Sequence, residues 1–213
     1  IEKIIIEMNK KLKTYIQKVI INIDKIPNKR KKLLLDIVDY IKQGCLNESM
    51  ANIIFICTHN SRRSQLAQCW SIASYQYYKL KNIKFFSGGM EITSFNLNAL
   101  KALERSGFSI DQKGQKEHVY LLKTSKNSDG QKFFSKMYDS KSNPKRKFLA
   151  IMTCSDADKK CPVVRGADKR IFLPYQDPRI SDGLDLEESV YDQSCYIIAQ
   201  EMFYIMKKVK EII

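Results

Sequence analysis

Cys57 and Arg63 stand six residues apart in "FICTHNSRRSQ" (55–65), with only small or polar residues and a second arginine between them, and Ser64 follows at once. A loop that feeds a helix N-terminus aims several backbone N–H groups at one point and so forms an anion cradle. Arg63 adds a forked, always-charged donor that grips two oxygens of a tetrahedral oxyanion. The same field favours thiolate over thiol, and Ser64 is placed to donate a further hydrogen bond to the sulfur. Such a cradle holds an anion and activates the nucleophile that attacks it. The candidate nucleophile is therefore Cys57, and the candidate binding residues are Thr58, His59, Asn60, Ser61, Arg62, Arg63 and Ser64. A Cys-x5-Arg pair alone is equally well a core thiol followed by a surface arginine. The apolar run before it, Ser64 after it and the polar filling favour chemistry.

The surrounding texture predicts the elements that position this loop. "NIIFIC" (52–57) is a continuous apolar run, the signature of a parallel strand buried on both faces. A helix is expected from Ser64 to about Leu80, a strand over 83–89, and a helix over 96–107 stopped by Gly107. Residues 112–147 are lysine-rich and weakly patterned, with a strand or hairpin near 118–123 and 131–136 and a long loop. "KFLAIMTC" (147–154) is a second strong strand ending in a cysteine, "KRIFLPY" (169–175) runs into "QDPR", and 188–211 is a long amphipathic helix. Alternating strand and helix implies an α/β three-layer sandwich with a mainly parallel sheet. Sites in such folds lie beyond the C-terminal strand ends, so Cys57, Cys154 and Asp177 are expected to face one crevice.

Ahead of this lies different material. Ile4, Ile5, Met8, Leu12, Tyr15, Ile16, Val19 and Ile20 recur at helical spacing. Pro27 breaks the pattern, Asn28 is placed to cap a second helix through about Ile41, and Gly44 with "LNES" is expected to end it. The expected organisation is an N-terminal helical hairpin over 1–48 and a catalytic domain over 49–213.

The totals limit the functional classes. The 213 residues are 44% apolar and 28% charged, ordinary for a soluble globular protein. No apolar run approaches the roughly 20 residues that span a bilayer. The opening interleaves charge throughout, so neither a signal peptide nor a membrane partner is expected, and a cytoplasmic location is. The net charge of +14 comes largely from lysines scattered over helix faces, without a nucleic-acid motif. It suits anionic ligands instead. Six cysteines carry no Cys-x2-Cys pair and only two histidines exist, so no metal site is expected. Cys45, Cys69 and Cys195 fall within helical patterns and read as core thiols.

"CTHNSRRSQ" resembles the phosphate-binding loop of the low-molecular-weight protein tyrosine phosphatase superfamily, and "SGGME" followed by "NLNALKALERSGFSI" is similar to its next strand and helix. The resemblance implies that Cys57 forms a covalent thioester with the oxyanion, that Arg63 holds the equatorial oxygens, and that Asp177 of "QDPR" protonates the leaving group. "TCSDADKKCPVVRGADKR" resembles the thioredoxin-coupled arsenate reductases, which add two cysteines to the phosphatase fold. That resemblance implies attack on arsenate by Cys57, attack on Cys57 by Cys154 with release of arsenite, and capture of Cys154 by Cys161 to leave a disulfide for thioredoxin. Asp177 lies sixteen residues beyond Cys161, as the family pattern has it.

Two details of the sequence bear on this. Residues seven apart on a helix are separated by about 10 Å along its axis, whereas a disulfide wants Cα atoms within about 4.4–6.8 Å. If "SDADKK" is helical when reduced, it must unwind on oxidation. Gln68 stands where the reductases commonly carry a potassium-binding glutamate, so that ion is not expected, and no other bound cofactor is implied. His59 stands where many members have glycine, which would be strained if the backbone there required positive φ.

Three readings follow. The first is arsenate reduction with a thioredoxin-like external reductant. The second is a phosphatase of phosphotyrosine or small esters, in which Cys154 and Cys161 only protect Cys57 from overoxidation. The third is a non-catalytic phosphate- or phosphoprotein-binding module. In each the ligand is an oxyanion (arsenate, phosphate or phosphotyrosine), and nothing in the sequence speaks to oligomeric state.

Overall fold

A computed structural model describes residues 8–47, 50–113, 118–125 and 128–213. Four strands form one parallel sheet in the order β2–β1–β6–β7: β1 is Ala51–Cys57, β2 Ile83–Gly89, β6 Phe148–Met152 and β7 Ala167–Phe172. β1 and β6 are central, and their sequences explain it. Nearly every residue of both is buried, as apolar runs lacking alternation require.

Between the strands run α3 (Arg63–Tyr77), α4 (Leu97–Ser106) and α5 (Ser155–Lys160), and α6 (Glu187–Ile212) closes the chain. The chain leaves β1, forms β2 on one side, then crosses to β6 on the other. The strand order therefore reverses at β1, and the crevice beyond the β1 and β6 C-termini is the place where such sheets bind ligands. The α/β sandwich expected from the sequence is the observed one.

Several boundaries differ from the sequence expectations. α3 ends at Tyr77 rather than near Leu80, and β7 ends at Phe172. The weakly patterned region forms a separate antiparallel sheet of β3 (Ser109–Lys113), β4 (Val119–Lys123) and β5 (Gln131–Phe133). β3 was not legible in advance, because only cross-strand pairing with β4 makes "SIDQK" a strand.

The N-terminal segment supplies α1 (Lys10–Ile21) and α2 (Asn28–Asn47). The expectation for Ile4 and Ile5 lies outside the described residues. Gly44 does not end α2, which continues to Asn47. A side chain at Gly44 would press on Ala51 at 3.0 Å, so the glycine serves close helix-to-strand approach rather than termination. Asn28 is the first helical residue, and the Pro27 carbonyl accepts from Arg30 and Lys31. Leu12, Ile16, Val19, Leu34, Ile37, Val38 and Ile41 join one apolar core with Trp70, Phe203 and the sheet. α1 lies on α6 and α4, and α2 on α6, β1 and β7. Gly107, at φ 107° after α4, has the Leu12 backbone where a Cβ would stand, 2.3 Å from its nitrogen. Only glycine meets both demands.

Candidate active site

Residues 58–62 leave β1 and wrap back so that Arg63 opens α3. The loop is held from outside. The carbonyl of Thr58 accepts from the N–H groups of Met90 and Glu91, and that of Ser61 from Asn96. Gly89 permits this, since a Cβ there would stand 2.8 Å from the Asn60 nitrogen and 2.9 Å from the Thr58 oxygen. The backbone turns through positive φ at Asn60 (46°), not at His59. Asparagine tolerates this conformation, so the histidine carries no such strain.

Within the loop, the Cys57 sulfur lies 3.0 Å from Ser64 Oγ. Asn60 Nδ2 donates to the same Oγ at 2.9 Å, while Asn60 Oδ1 accepts from the Lys136 N–H at 3.0 Å. A Cys57 thiolate has no proton to give, so with the thiolate Ser64 must be the donor. Gln65 braces the turn by donating to the Asn60 carbonyl at 3.1 Å, and Ser87 donates to Gln65.

Arg63 and Asp177 meet across the crevice. Asp177 Oδ2 accepts from Arg63 Nη2 at 2.5 Å, and Arg63 Nη1 donates to the Tyr175 carbonyl at 3.3 Å. Asp177 Oδ1 caps the short turn Pro178–Ser181 through the Arg179 N–H. Cys57, His59, Ser61, Arg62, Arg63 and Asp177 line one small, tight pocket. Arg63 Nε is buried and has no partner among the described residues.

The other loop residues are placed as follows. Arg62 points its guanidinium to Tyr191 Oη (2.8 Å) and Asp182 (3.3 Å). His59 Nε2 lies 3.3 Å from Glu91 at the rim. Thr58 Oγ1 lies 3.4 Å from the sulfur of Cys154.

That contact introduces the distal cysteines. Cys154 follows β6, whose alignment with β1 is continued by the Thr153 N–H donating to the Ile56 carbonyl at 2.7 Å. The segment "SDADKK" is helical as α5, with Cys154 at its N-cap and Cys161 at its C-cap. Cys57, Cys154 and Cys161 are all buried in one apolar cluster with Ile56, Met152, Ala157 and Val164. Burial pushes the Cys161 thiol up, while Arg170 and a hydrogen bond from Tyr138 pull the other way. Arg170 Nη2 also ties down α5, donating to the Asp158 carbonyl at 2.8 Å and its carboxylate at 2.5 Å.

Sequence reasoning did not find Asp182, Tyr191, Tyr138 or Arg170, which carry no motif; Asp182 and Tyr191 lie more than a hundred residues from Arg62. Cys69 and Cys195 are core thiols: burial raises both, Cys195 to about 11, where Trp70 Nε1 donates to it. Cys45 is half-buried. Among the described residues no group of three or more His, Cys, Asp or Glu side chains could hold a metal ion. No helix among them is long and apolar enough to cross a membrane.

No protein-family model matches the chain. It is 29% identical over 141 residues to an arsenate reductase of Bacillus subtilis, covering 66% of this chain and 84% of that protein. It is 30% identical over 132 residues to an arsenate reductase of Shouchella clausii, covering 62% and 76% respectively. Among solved structures, the low-molecular-weight phosphotyrosine phosphatase of Vibrio cholerae matches with TM-score 0.52 at 12% identity, over 74% of this chain and 95% of that one. The low-molecular-weight protein tyrosine phosphatase of T. tengcongensis matches with TM-score 0.51 at 16% identity, over 74% and 99%. The structures share the fold and the reductases share the sequence: the chain belongs to the low-molecular-weight protein tyrosine phosphatase superfamily, as an enzyme of its arsenate reductase or phosphatase type.

Proposed function

We propose that this enzyme reduces arsenate to arsenite through a relay of Cys57, Cys154 and Cys161. The observation that carries the reading is the burial of these three cysteines in one cluster, with the Cys154 sulfur against Thr58, the neighbour of Cys57. A phosphatase requires only Cys57.

The geometry supports the following steps. Arsenate enters the cradle, where the loop N–H groups and Arg63 hold its oxygens. The Cys57 thiolate attacks arsenic, and a hydroxyl leaves as water with a proton from Asp177, giving a Cys57 thioester of As(V). The Cys154 thiolate then attacks the Cys57 sulfur. The S–As bond breaks with its electron pair going to arsenic, which leaves as arsenite, and a Cys57–Cys154 disulfide forms. The Cys161 thiolate attacks the Cys154 sulfur and expels Cys57 as thiolate. The resulting Cys154–Cys161 disulfide stores the oxidation until an external dithiol of thioredoxin type reduces it.

α5 is the element that must move. Its ends are farther apart than a disulfide allows, and its six residues, rich in Ser and Asp, make a marginal helix. Opening α5 would bring Cys161 to Cys154 and deliver the disulfide to the surface.

A second reading is hydrolysis of phosphate monoesters at the same cradle. It is supported by the Asp177–Arg63 placement beside Cys57, which suits acid catalysis on an ester leaving group. Arsenate-dependent NADPH oxidation with thioredoxin and its reductase separates the two. The reductase reading expects sustained turnover in the wild type and none after Cys161→Ser. Absence of turnover in both, with Cys57-dependent hydrolysis of p-nitrophenyl phosphate, would assign a phosphatase. We also propose that 1–48 form a unit added to a catalytic body of 49–213, since they lie outside the stretches that carry the family resemblance.

A further inference from the structure

The loop that carries Asp177 is gripped from the N-terminal helices. Arg30, in the first turn of α2, makes a two-pronged ion pair with Glu201 of α6, Nε to Oε1 at 2.6 Å and Nη2 to Oε2 at 3.0 Å. The hydroxyl of Tyr175 donates to the same Oε2 at 2.7 Å. The Arg30 guanidinium also lies over the Tyr175 ring, 4.9 Å from its centroid. At the other end of this residue, the Tyr175 carbonyl receives Arg63, and two residues on stands Asp177, bound to the same guanidinium. One tyrosine thus joins a buried ion pair to the anion-binding arm.

The physical chemistry makes this link stiff. Glu201 is buried, with a side chain only 6% exposed, so its charge is tolerable only while both donors are present. Bidentate pairing and ring stacking each fix the plane of the Arg30 guanidinium, which a lysine cannot reproduce. The Tyr175 N–H donates to the Thr153 carbonyl at 3.1 Å, so its backbone is pinned to the residue before Cys154 as well.

We propose that Arg30 is a positioning residue for the oxyanion site: through Glu201 and Tyr175 it holds the carbonyl on which Arg63 rests and the loop that bears Asp177. This gives the N-terminal helices a role in catalysis besides covering the core. It rests on the reading of Cys57, Arg63 and Asp177 as the oxyanion site. Without Arg30, the Tyr175 ring loses its cover and the loop gains freedom, so Arg63 starts from a spread of positions instead of one. Misplacement of an arm by about 1 Å is enough to cost on the order of a hundredfold in such sites.

The test is binding of inorganic phosphate and arsenate by calorimetry in a Cys57→Ser background, where no chemistry follows. Arg63→Met should abolish binding, and Arg30→Met should weaken it about tenfold at a temperature where circular dichroism shows the native fold. Arg30→Lys should recover only part of the loss. Because removing one partner of a buried pair can unfold the chain, Arg30→Met/Glu201→Met is the companion variant. It restores an apolar, uncharged contact and should fold, yet still bind weakly. Equal affinity in the wild-type background and the double variant, with binding still lost in Arg63→Met, would overturn the role of Arg30 and leave the site reading intact. Unchanged binding in Arg63→Met would overturn both.

Discussion

Asp177 and Arg63 are in direct contact, Oδ2 to Nη2 at 2.5 Å. In the proposed reaction the candidate acid therefore occupies the arm that would grip the anion. On that proposal, an entering oxyanion would replace the carboxylate on the guanidinium and leave the carboxyl group to face the leaving atom.

Asp177→Asn separates these two roles. Turnover should fall by about 10²–10⁴-fold, the usual contribution of a positioned acid. Phosphate binding should be undiminished, because the competing charge on Arg63 is gone. Steady-state rates alongside phosphate inhibition constants make the comparison, and an equal loss in both would refute the assignment of Asp177 as acid.

Ser64 Oγ lies 3.0 Å from the Cys57 sulfur, to whose thiolate it would donate, while Asn60 holds that oxygen. A hydrogen bond to a charged group is worth roughly 1.5–3 kcal/mol, so Ser64→Ala should slow the Cys57 step by about tenfold or more. Asn60→Ala should fall in the same direction by a smaller factor. Rapid-mixing measurement of the first step reads both, and an unchanged rate in Ser64→Ala would show that the contact is only structural.

Arg170 clamps α5 through Asp158 and faces Cys161. Releasing the clamp should favour the open helix. Arg170→Met is expected to raise the rate at which a disulfide reagent modifies Cys161 in the native protein by about tenfold, since reaction then follows the local opening. The measurement is thiol titration with mass-spectrometric assignment. Protection equal to the wild type would mean that other contacts hold the helix.

Lys136 is buried, with its ammonium 4.7 Å from the centre of the Phe134 ring, and burial pushes its pKa down from 10.5 to about 8. The unfolded chain then holds this proton more tightly than the folded one. Between pH 8 and 10.5 the folded protein has released it and the unfolded chain has not, so this group adds stability as pH rises through that window and withdraws it as pH falls. The full change is on the order of 3 kcal/mol. Other groups titrate there too, so the readout is the difference between wild type and Lys136→Met in urea unfolding at a series of pH values. That difference should move in favour of the wild type by about this amount from pH 7 to 10.5. A flat difference would place the ammonium in water.

Much of the molecule was written locally. "NIIFIC" and "FLAIM" are strands because unbroken apolar runs can only be buried on two faces, and Asn96 and Gly107 bound α4 as cap and left-handed stop. The loop 57–64 was legible because its chemistry lies in adjacent residues. The same held for α5, whose two cysteines bracket a short polar segment. β3 was not legible, because its strand character comes from pairing, and neither was the length of α2, because Gly44 answers to Ala51 and not to its own turn.

By itself, then, the sequence determined the parallel α/β core, the polar loop between Cys57 and Arg63 and the presence of two further thiols beyond β6. All of these rest on neighbours in the chain. Only the tertiary structure decided that Asp177 lies on Arg63, that Tyr138 and Arg170 come within reach of Cys161, and that Arg30 connects to the loop of Asp177 through Glu201 and Tyr175. Most of those partners are separated by more than twenty residues, two pairs by more than a hundred, and no periodicity encodes which polar groups packing will bring together. Burial leaves each of them in need of a partner, and only the folded chain determines which one it finds.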